Sequence, residues 1–163
     1  MSKCRQHSNN LIETEIGRIP KDWGLSKLSN IAQVIVSNVD KKFEENEAPV
    51  LLCNYMDVYQ NEYITSNLEF MRGSASEAEI DKFSLRRGDV LITKDSETAE
   101  DIASAAVLAD EIQNLICGYH LAILRPDKER MDSYFLAKTL QHDRVHNQFV
   151  TKANGVTRYG LTL

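Results

Sequence analysis

The chain has 163 residues, of which 42% are hydrophobic and 26% charged, and its formal net charge is −5. These values are ordinary for one globular domain with its own core. No apolar run approaches the ~20 residues of a membrane-spanning helix, and Met1–Asn10 lacks the apolar segment of a signal peptide. We therefore expect one cytoplasmic domain without a membrane partner. The three cysteines, Cys4, Cys53 and Cys117, are widely spaced and form no C-x-x-C pair, which disfavours a zinc site or a disulfide framework.

The first third of the chain alternates polar turns with short apolar runs. Residues 1–11 are polar and are predicted to form a disordered leader. Thr14–Trp23 is turn-rich and ends on the only tryptophan, which we interpret as a hydrophobic anchor for the start of the domain. Two β-branched or aliphatic runs, Gln33–Val36 and Val50–Cys53, predict strands on either side of a long polar loop.

The segment that follows the second predicted strand has an unusual composition. Asn54–Tyr59 places two tyrosines and an asparagine at a strand end, and such residues can stack on bases or hydrogen-bond to them. A turn with tyrosines on the domain surface is the equal alternative. Further along, Ser76 and Glu79 match the capping box S-x-x-E and predict a short helix to about Lys82.

The central stretch Leu85–Pro126 organises the predicted fold. It contains four short apolar runs separated by polar loops, namely Val90–Thr93, Ala105–Leu108, Leu115–Cys117 and Tyr119–Leu124. After it, Asp132 is a good N-cap for a helix over Ser133–Gln141, and a further helical piece is predicted from Val145 to about Lys152. We therefore predict an α+β domain with a mostly antiparallel twisted sheet or partial barrel, a few short helices, and function carried by its loops.

The charge is unevenly distributed along the chain. Between Asp95 and Leu124 there is no Lys or Arg, whereas from Lys138 onward four basic residues oppose only Asp143. A basic face on an acidic protein is enough for phosphate binding, because binding depends on the local patch rather than the total charge. The composition therefore does not exclude a nucleic-acid partner.

The usual catalytic motifs are absent from the sequence. It has no G-x-x-x-x-G-K-[ST], G-x-G-x-x-G or G-x-S-x-G segment. His142 and His146 stand four apart on a predicted helix, but no metalloprotease Glu lies between them, so we interpret them as solvated helix residues. The acidic stretch Asp95–Asp101 matches no EF-hand spacing, and a metal-dependent nuclease built on it stays an alternative. A protein-interaction domain with no nucleic-acid role is a second alternative.

Four segments together resemble the specificity subunit of type I restriction–modification enzymes. They are Thr14–Trp23 (TEIGRIPKDW), Leu85–Ile92 (LRRGDVLI), Gly118–Pro126 (GYHLAILRP) and Gly155–Leu161 (GVTRYGL). Each is weak alone, but the four occur in the family's order, and the resemblance spans residues 12–163. It implies that 12–163 is the first target recognition domain, ending before the expected spacer helix.

The resemblance implies a non-catalytic chain that binds double-stranded DNA and directs partner subunits. A modification subunit would methylate adenine with S-adenosylmethionine, and a restriction subunit would cleave with ATP and Mg²⁺, so no cofactor is expected in this chain. From loop position and chemistry, phosphate contacts are predicted for Lys41, Lys42, Arg72, Lys152 and Arg158. Base reading is predicted for Asn38, Asn54, Tyr55, Lys94, Ser96 and Thr98.

Overall fold

The computed structural model describes residues 10–40 and 42–162, and these residues form a mixed α+β fold. Their strands are β1 (Leu11–Thr14), β2 (Gly17–Pro20), β3 (Ala32–Val36), β4 (Ala48–Cys53), β5 (Tyr63–Ile64), β6 (Met71–Ala75), β7 (Val90–Thr93), β8 (Asp95–Ser96), β9 (Ala105–Leu108), β10 (Leu115–Cys117), β11 (Leu121–Pro126) and β12 (Tyr159–Gly160). Their helices are α1 (Tyr55–Tyr59), α2 (Glu77–Phe83), α3 (Ser133–Gln141) and α4 (Asp143–Val150), with a 3-10 turn at Leu28–Asn30. None of these described helices is long and apolar enough to cross a membrane.

A five-stranded sheet in the order β3-β11-β7-β9-β5 forms the centre of the domain. Its pairs are antiparallel except that β5 runs parallel to β9. A second sheet has the order β10-β4-β6, in which β4 is parallel to β10 and antiparallel to β6. The prediction of an α+β domain with a mostly antiparallel sheet is confirmed, and the described strands do not close into a barrel.

The five-stranded sheet is buried on both faces because the side chains of its central strands alternate between two apolar clusters. Leu91 and Ile123 face the three-stranded sheet, where they pack with residues such as Leu52 and Ile116. Val90, Ile92, Val107 and Leu124 face α3, which contributes Leu136, Ala137 and Leu140. Burial on both sides explains why β7 and β9 read as continuous apolar runs in the sequence.

The two ends of this sheet differ in chemistry, and we call them the site end and the far end. At the site end, β3 and β7 finish and β11 begins, with Leu121 opposite Thr93. At the far end, β7 begins and β11 finishes, with Asp89 and Arg125 joined in a buried ion pair. The loops of the site end are polar and long, whereas at the far end this ion pair joins the start of β7 to the end of β11.

Several local predictions are wrong in detail. Asn54–Tyr59 was expected to be an irregular strand end or turn, but α1 begins there because the Asp57 carboxylate accepts a hydrogen bond from the Asn54 N–H at 2.7 Å. Tyr119 and His120 lie in a turn rather than in a strand, and β11 starts at Leu121. The helix predicted from Val145 begins at Asp143, directly after α3.

The amino-terminal predictions have a mixed outcome. Of the predicted leader, residues 1–9 lie outside the described residues, and β1 already begins at Leu11. The ring of Trp23 contacts that of Phe135 edge-on at 5.4 Å, as an anchor does, yet 52% of Trp23 stays exposed. The helix predicted at Ser76 is confirmed, because the Ser76 hydroxyl accepts a bond from the Glu79 N–H.

Candidate nucleic-acid interface

The loops that carry the predicted base-reading residues meet at the site end of the sheet. Asn38 follows β3, whose end is fixed because the Ser37 hydroxyl donates to the Cys117 carbonyl at 2.5 Å. Asn54 and Tyr55 follow β4, and Lys94 follows β7. Because β4 and β10 are parallel and pair Cys53 with Cys117, both strands deliver their following loops to the same place.

Gly118 allows these loops to approach one another closely. A Cβ atom at this position would lie 2.7 Å from the Cys53 carbonyl oxygen and 3.0 Å from Asn54 Oδ1. The first distance is shorter than real side chains tolerate against backbone, so only glycine fits without a shift. The absence of a side chain at Gly118 therefore allows the β4–α1 connection and the turn before β11 to lie this close together.

Lys94 follows β7 at the site end, and its side chain contacts both a carboxylate and an aromatic ring. Its ammonium is 3.6 Å from Asp95 Oδ2 and 4.4 Å from the centre of the Tyr119 ring. The same carboxylate oxygen is 3.1 Å from Nδ1 of His120, whose ring contacts the Tyr119 ring edge-on. Carboxylate, lysine, tyrosine and histidine thus form one connected group, which we call the Lys94 cluster.

A second group surrounds α1. The rings of Tyr55 and Tyr59 are stacked with centres 5.4 Å apart and 21° between their planes. The Tyr59 hydroxyl donates to Asp101 at 3.0 Å, and the Thr98 hydroxyl donates to the other oxygen of the same carboxylate at 2.8 Å. Burial, followed by the charge of Asp101, raises the pKa of Tyr55, so its phenol stays neutral and able to donate a hydrogen bond.

The predicted base readers differ in exposure. Asn38 and Thr98 are exposed, and Asn54, Tyr55 and Lys94 are half-buried. Ser96 is only 3% exposed and lies in β8, where its hydroxyl donates to the Thr98 carbonyl. In this conformation Ser96 supports the loop and does not face solvent.

Four of the predicted phosphate contacts are exposed, and the fifth, Lys41, lies outside the described residues. Arg72 lies in β6 opposite Leu51, close to the end of β4. Arg158 precedes β12, which pairs with β8 and so brings the arginine beside the Lys94 loop. The ammonium of Lys42 is 3.3 Å from Asp40, in the loop between β3 and β4.

We call residues 154–160, which are joined by the bridge between Asn154 and Gly160, the carboxyl-terminal hairpin, and Lys152 is the phosphate candidate that precedes it. It follows α4, and its carbonyl accepts a hydrogen bond from the Asn154 side chain at 2.9 Å. Asn154 in turn bridges to Gly160 of β12. The hairpin therefore links Lys152 to the same end of the sheet as Arg158.

The acidic loop does not assemble a metal site in the described part of the chain. No group of three His, Cys, Asp or Glu side chains there is placed to hold a metal ion. Asp95 is engaged by Lys94 and His120, whereas Asp101 is engaged by two hydroxyl groups. The nuclease alternative therefore gains no support from the positions of these carboxylates.

The two helix histidines also serve structural purposes. The His142 side chain caps α4 by accepting from the Arg144 N–H. The His146 ring bonds to the Ile102 carbonyl at 2.7 Å and is half-buried, so the expectation of a freely solvated residue was wrong for it.

Sequence reasoning pointed to the segment that contains Tyr59 without naming that residue as a base reader, and it missed Tyr119 and His120 as members of the site. Tyr59 lies four residues after Tyr55, which is the stacking distance on a helix, but the segment was not predicted to be helical. Tyr119 and His120 were assigned to a strand. The one available signal was Gly118 before them, since a glycine favours a turn.

No protein-family model matches the chain. It is 27% identical over 140 residues to a protein of Methanocaldococcus jannaschii described as the MjaX specificity subunit of a type I restriction enzyme, an alignment that covers 86% of this chain and 32% of that protein. The crystal structure of the type I restriction–modification S subunit from M. genitalium aligns with a TM-score of 0.46 at 13% identity, covering 85% of this chain and 30% of the other. The sequence similarity to the M. jannaschii protein confirms the resemblance to type I specificity subunits that the four segments predicted. The chain spans about a third of the length of these relatives.

Proposed function

We propose that this chain binds double-stranded DNA in a sequence-specific manner as part of the specificity subunit of a type I restriction–modification system. The observation that carries the proposal is the convergence of polar loops at one end of the sheet, including the Lys94 cluster and the stacked tyrosines of α1. The similarity to the MjaX specificity subunit supports it. Loops held on a rigid sheet are suited to reading base edges, because their donors keep fixed positions.

Phosphate contacts would set the register of the domain on the duplex, and the site-end side chains would read the bases. Arg72 and Arg158 flank the site end and are free to reach phosphates, since both are exposed. The carboxylates of Asp95 and Asp101 lie at the same end and repel phosphate, although each is engaged by neighbouring donors. We therefore expect the chain alone to bind weakly, in the non-specific range of roughly 10⁻⁴–10⁻⁶ M at physiological salt.

The catalytic steps would belong to partner subunits. By its resemblance to specificity subunits, this chain would direct methylation by a modification subunit that uses S-adenosylmethionine and cleavage by a restriction subunit that uses ATP and Mg²⁺. It would itself contribute recognition without catalysis, within an assembly that acts on DNA in the cytoplasm.

Fluorescence anisotropy with a labelled duplex tests the proposal. We expect binding at low salt that weakens as salt rises. The double variant Arg72→Ala, Arg158→Ala should lower the affinity and reduce the slope of log affinity against log salt by about two, roughly one for each lost phosphate contact. The matched control is Arg87→Ala, Lys128→Ala, which removes two exposed cations from the loops of the far end and should leave both quantities unchanged.

Two results would contradict the proposal. Undetectable binding to duplex DNA at low salt would favour the protein-interaction alternative. Mg²⁺-dependent cutting of DNA by the purified chain, abolished by Asp95→Ala, would favour the nuclease alternative.

A further inference from the structure

We propose that Lys94 reads the major-groove edge of a guanine, and that Asp95, Tyr119 and His120 are positioning residues that hold its ammonium in place before DNA arrives. The inference rests on the proposed DNA-binding function and adds to it the identity of one base contact. Its basis is the geometry of the Lys94 cluster.

The backbone of Lys94 is fixed on both sides. Its N–H donates to the His120 carbonyl at 3.0 Å, and its carbonyl accepts from the Leu161 N–H at 2.9 Å. The first bond continues the pairing of β7 with β11, and the second ties the residue to the carboxyl-terminal hairpin. Lys94 is therefore an extension of a central strand and is held more rigidly than an ordinary loop residue.

The side chain of Lys94 is mostly covered, but its ammonium is not fully buried. Only 13% of the side chain is exposed, because the Tyr119 ring lies against its end. Among the described residues, the Lys94 ammonium has no hydrogen-bond partner within 3.5 Å. Every fully buried side-chain nitrogen of these residues does have a partner, so the Lys94 ammonium is not fully buried. The ammonium therefore retains contact with solvent, and its N–H groups remain free to donate.

Asp95 and His120 fix the direction of that ammonium. Asp95 Oδ2 attracts Lys94 Nζ at 3.6 Å and contacts His120 Nδ1 at 3.1 Å, so the carboxylate is held from two sides. Gly160 lies next to the other oxygen, where a Cβ atom would be only 3.3 Å from Asp95 Oδ1, so a residue without a side chain leaves the carboxylate its place. A lysine restrained in this way loses less conformational freedom on binding than a mobile one.

The chemistry of a restrained ammonium selects guanine among the bases. In the major groove guanine presents two adjacent acceptors, O6 and N7, whereas adenine pairs its N7 acceptor with an N–H donor and cytosine presents a donor. An ammonium has only donors. It therefore favours guanine over adenine and cytosine, and over thymine because thymine offers a single acceptor, O4, beside its methyl group. A phosphate contact would not need the restraint that Asp95 and Tyr119 provide.

The test selects binders from a pool of randomised duplexes with the full 163-residue chain and reads the base preference at every position. We expect the wild-type chain to prefer guanine at one position or more. Lys94→Met, which removes the ammonium and keeps an unbranched side chain, should remove one of these preferences by roughly 10- to 100-fold, the range of a good base contact. Lys94→Arg should retain it, and Asp95→Asn and His120→Gln should weaken the same preference while leaving the other positions unchanged.

Controls separate base reading from unfolding and from simple electrostatics. Unfolding midpoints are measured for every variant, and Lys94→Gln is the second variant if Lys94→Met lowers the midpoint. Lys42→Met should weaken all sequences equally and reduce the salt slope by about one, as expected for loss of a phosphate contact.

The outcomes distinguish the two proposals. If the wild-type chain binds no duplex at low salt, the proposed function fails and this inference fails with it. If the wild-type chain shows base preferences but Lys94→Met removes none for guanine, only the guanine inference is overturned. Uniform weakening by Lys94→Met with a smaller salt slope would make Lys94 a phosphate contact and would also overturn it.

Discussion

Breaking the ion pair between Asp89 and Arg125 should destabilise the far end of the sheet. Asp89 is 1% exposed, and Arg125 donates from Nε and Nη2 to its two carboxylate oxygens, each at 2.8 Å. Nη2 also donates to the Ser84 carbonyl at 3.0 Å, and the Arg86 N–H donates to the carboxylate at 2.8 Å. The hydrogen bond to Asp89 raises the pKa of Arg125, so its guanidinium stays protonated.

The variant Arg125→Met removes the cation and leaves the buried carboxylate with the Arg86 N–H as its remaining partner among these contacts. Removing one member of a buried pair costs about 3–5 kcal/mol. Because the Arg125 side chain is 20% exposed and the carboxylate keeps one hydrogen bond, we expect the lower end, about 3 kcal/mol. At ~2–4 °C per kcal/mol for a domain of this size, the unfolding midpoint should fall by roughly 6–12 °C.

Urea and thermal unfolding followed by circular dichroism measure this loss. The matched control is Lys138→Met, which breaks a 2.7 Å pair with Glu62 whose side chains are both more than half exposed, so its cost should stay below about 1 kcal/mol. The double variant Asp89→Asn, Arg125→Met should cost less than the sum of its two single variants, since each single variant leaves one charge unpaired and the double variant leaves none. A loss for Arg125→Met no larger than that of the control would refute the reasoning.

Two further changes test the packing of the site end. Gly118→Ala should lower the free energy of unfolding by about 1–3 kcal/mol, because its Cβ would collide with neighbouring backbone. The Cβ of Gly24→Ala meets no atom within 4 Å, so this control should change the free energy of unfolding by less than about 0.5 kcal/mol. Equal effects of the two variants in urea unfolding would contradict the prediction. In a Cys4→Ser background, Cys53 and Cys117 should not react with a thiol reagent at pH 8 until the chain unfolds, because burial raises the pKa of both thiols. Rapid labelling of the native chain would disprove this prediction.

The strands of the core could be predicted from the sequence because burial on both faces requires unbroken apolar runs. Val90–Thr93 and Ala105–Leu108 have this form, and each is a wholly buried strand with the predicted bounds. The helix after Ser76 was equally accessible, since its capping box is a local signal. Each of these elements is specified by residues close together in the chain.

The site could be predicted only in part because its contacts join distant residues. Lys94 and Tyr119 are 25 positions apart, and their contact depends on the turn that follows Gly118. The short helix α1 has only five residues, too few to show helical periodicity, and is fixed by a single pair, Asn54 and Asp57. Strand β8 pairs with β12 and places Ser96 opposite Tyr159. Ser96 was predicted to read a base but is buried and supports the loop.

The segments that carried the resemblance to specificity subunits lie partly at the far end of the sheet. Gly88 and Asp89 of one segment meet Arg125 of another, and the Ser133 hydroxyl donates to the Gly88 carbonyl at 2.6 Å. These residues close the scaffold and are remote along β7 from Lys94. A resemblance carried by such residues indicates the fold and the class of protein but contains no information about the bases that the proposed function would read.

The physical separation of the two ends has a consequence for specificity. Strands β7 and β11 are anchored at the far end by the ion pair of Asp89 and Arg125 and at the site end by the bond between Lys94 and His120. The side chains of Lys94, Tyr119 and His120 lie beyond Thr93 and Leu121 and belong to neither buried cluster, so they can change without disturbing these clusters. Under the proposed function, a domain built in this way would acquire a new base preference by substitutions around Lys94 while its stability continued to depend on the sheet and the far-end pair.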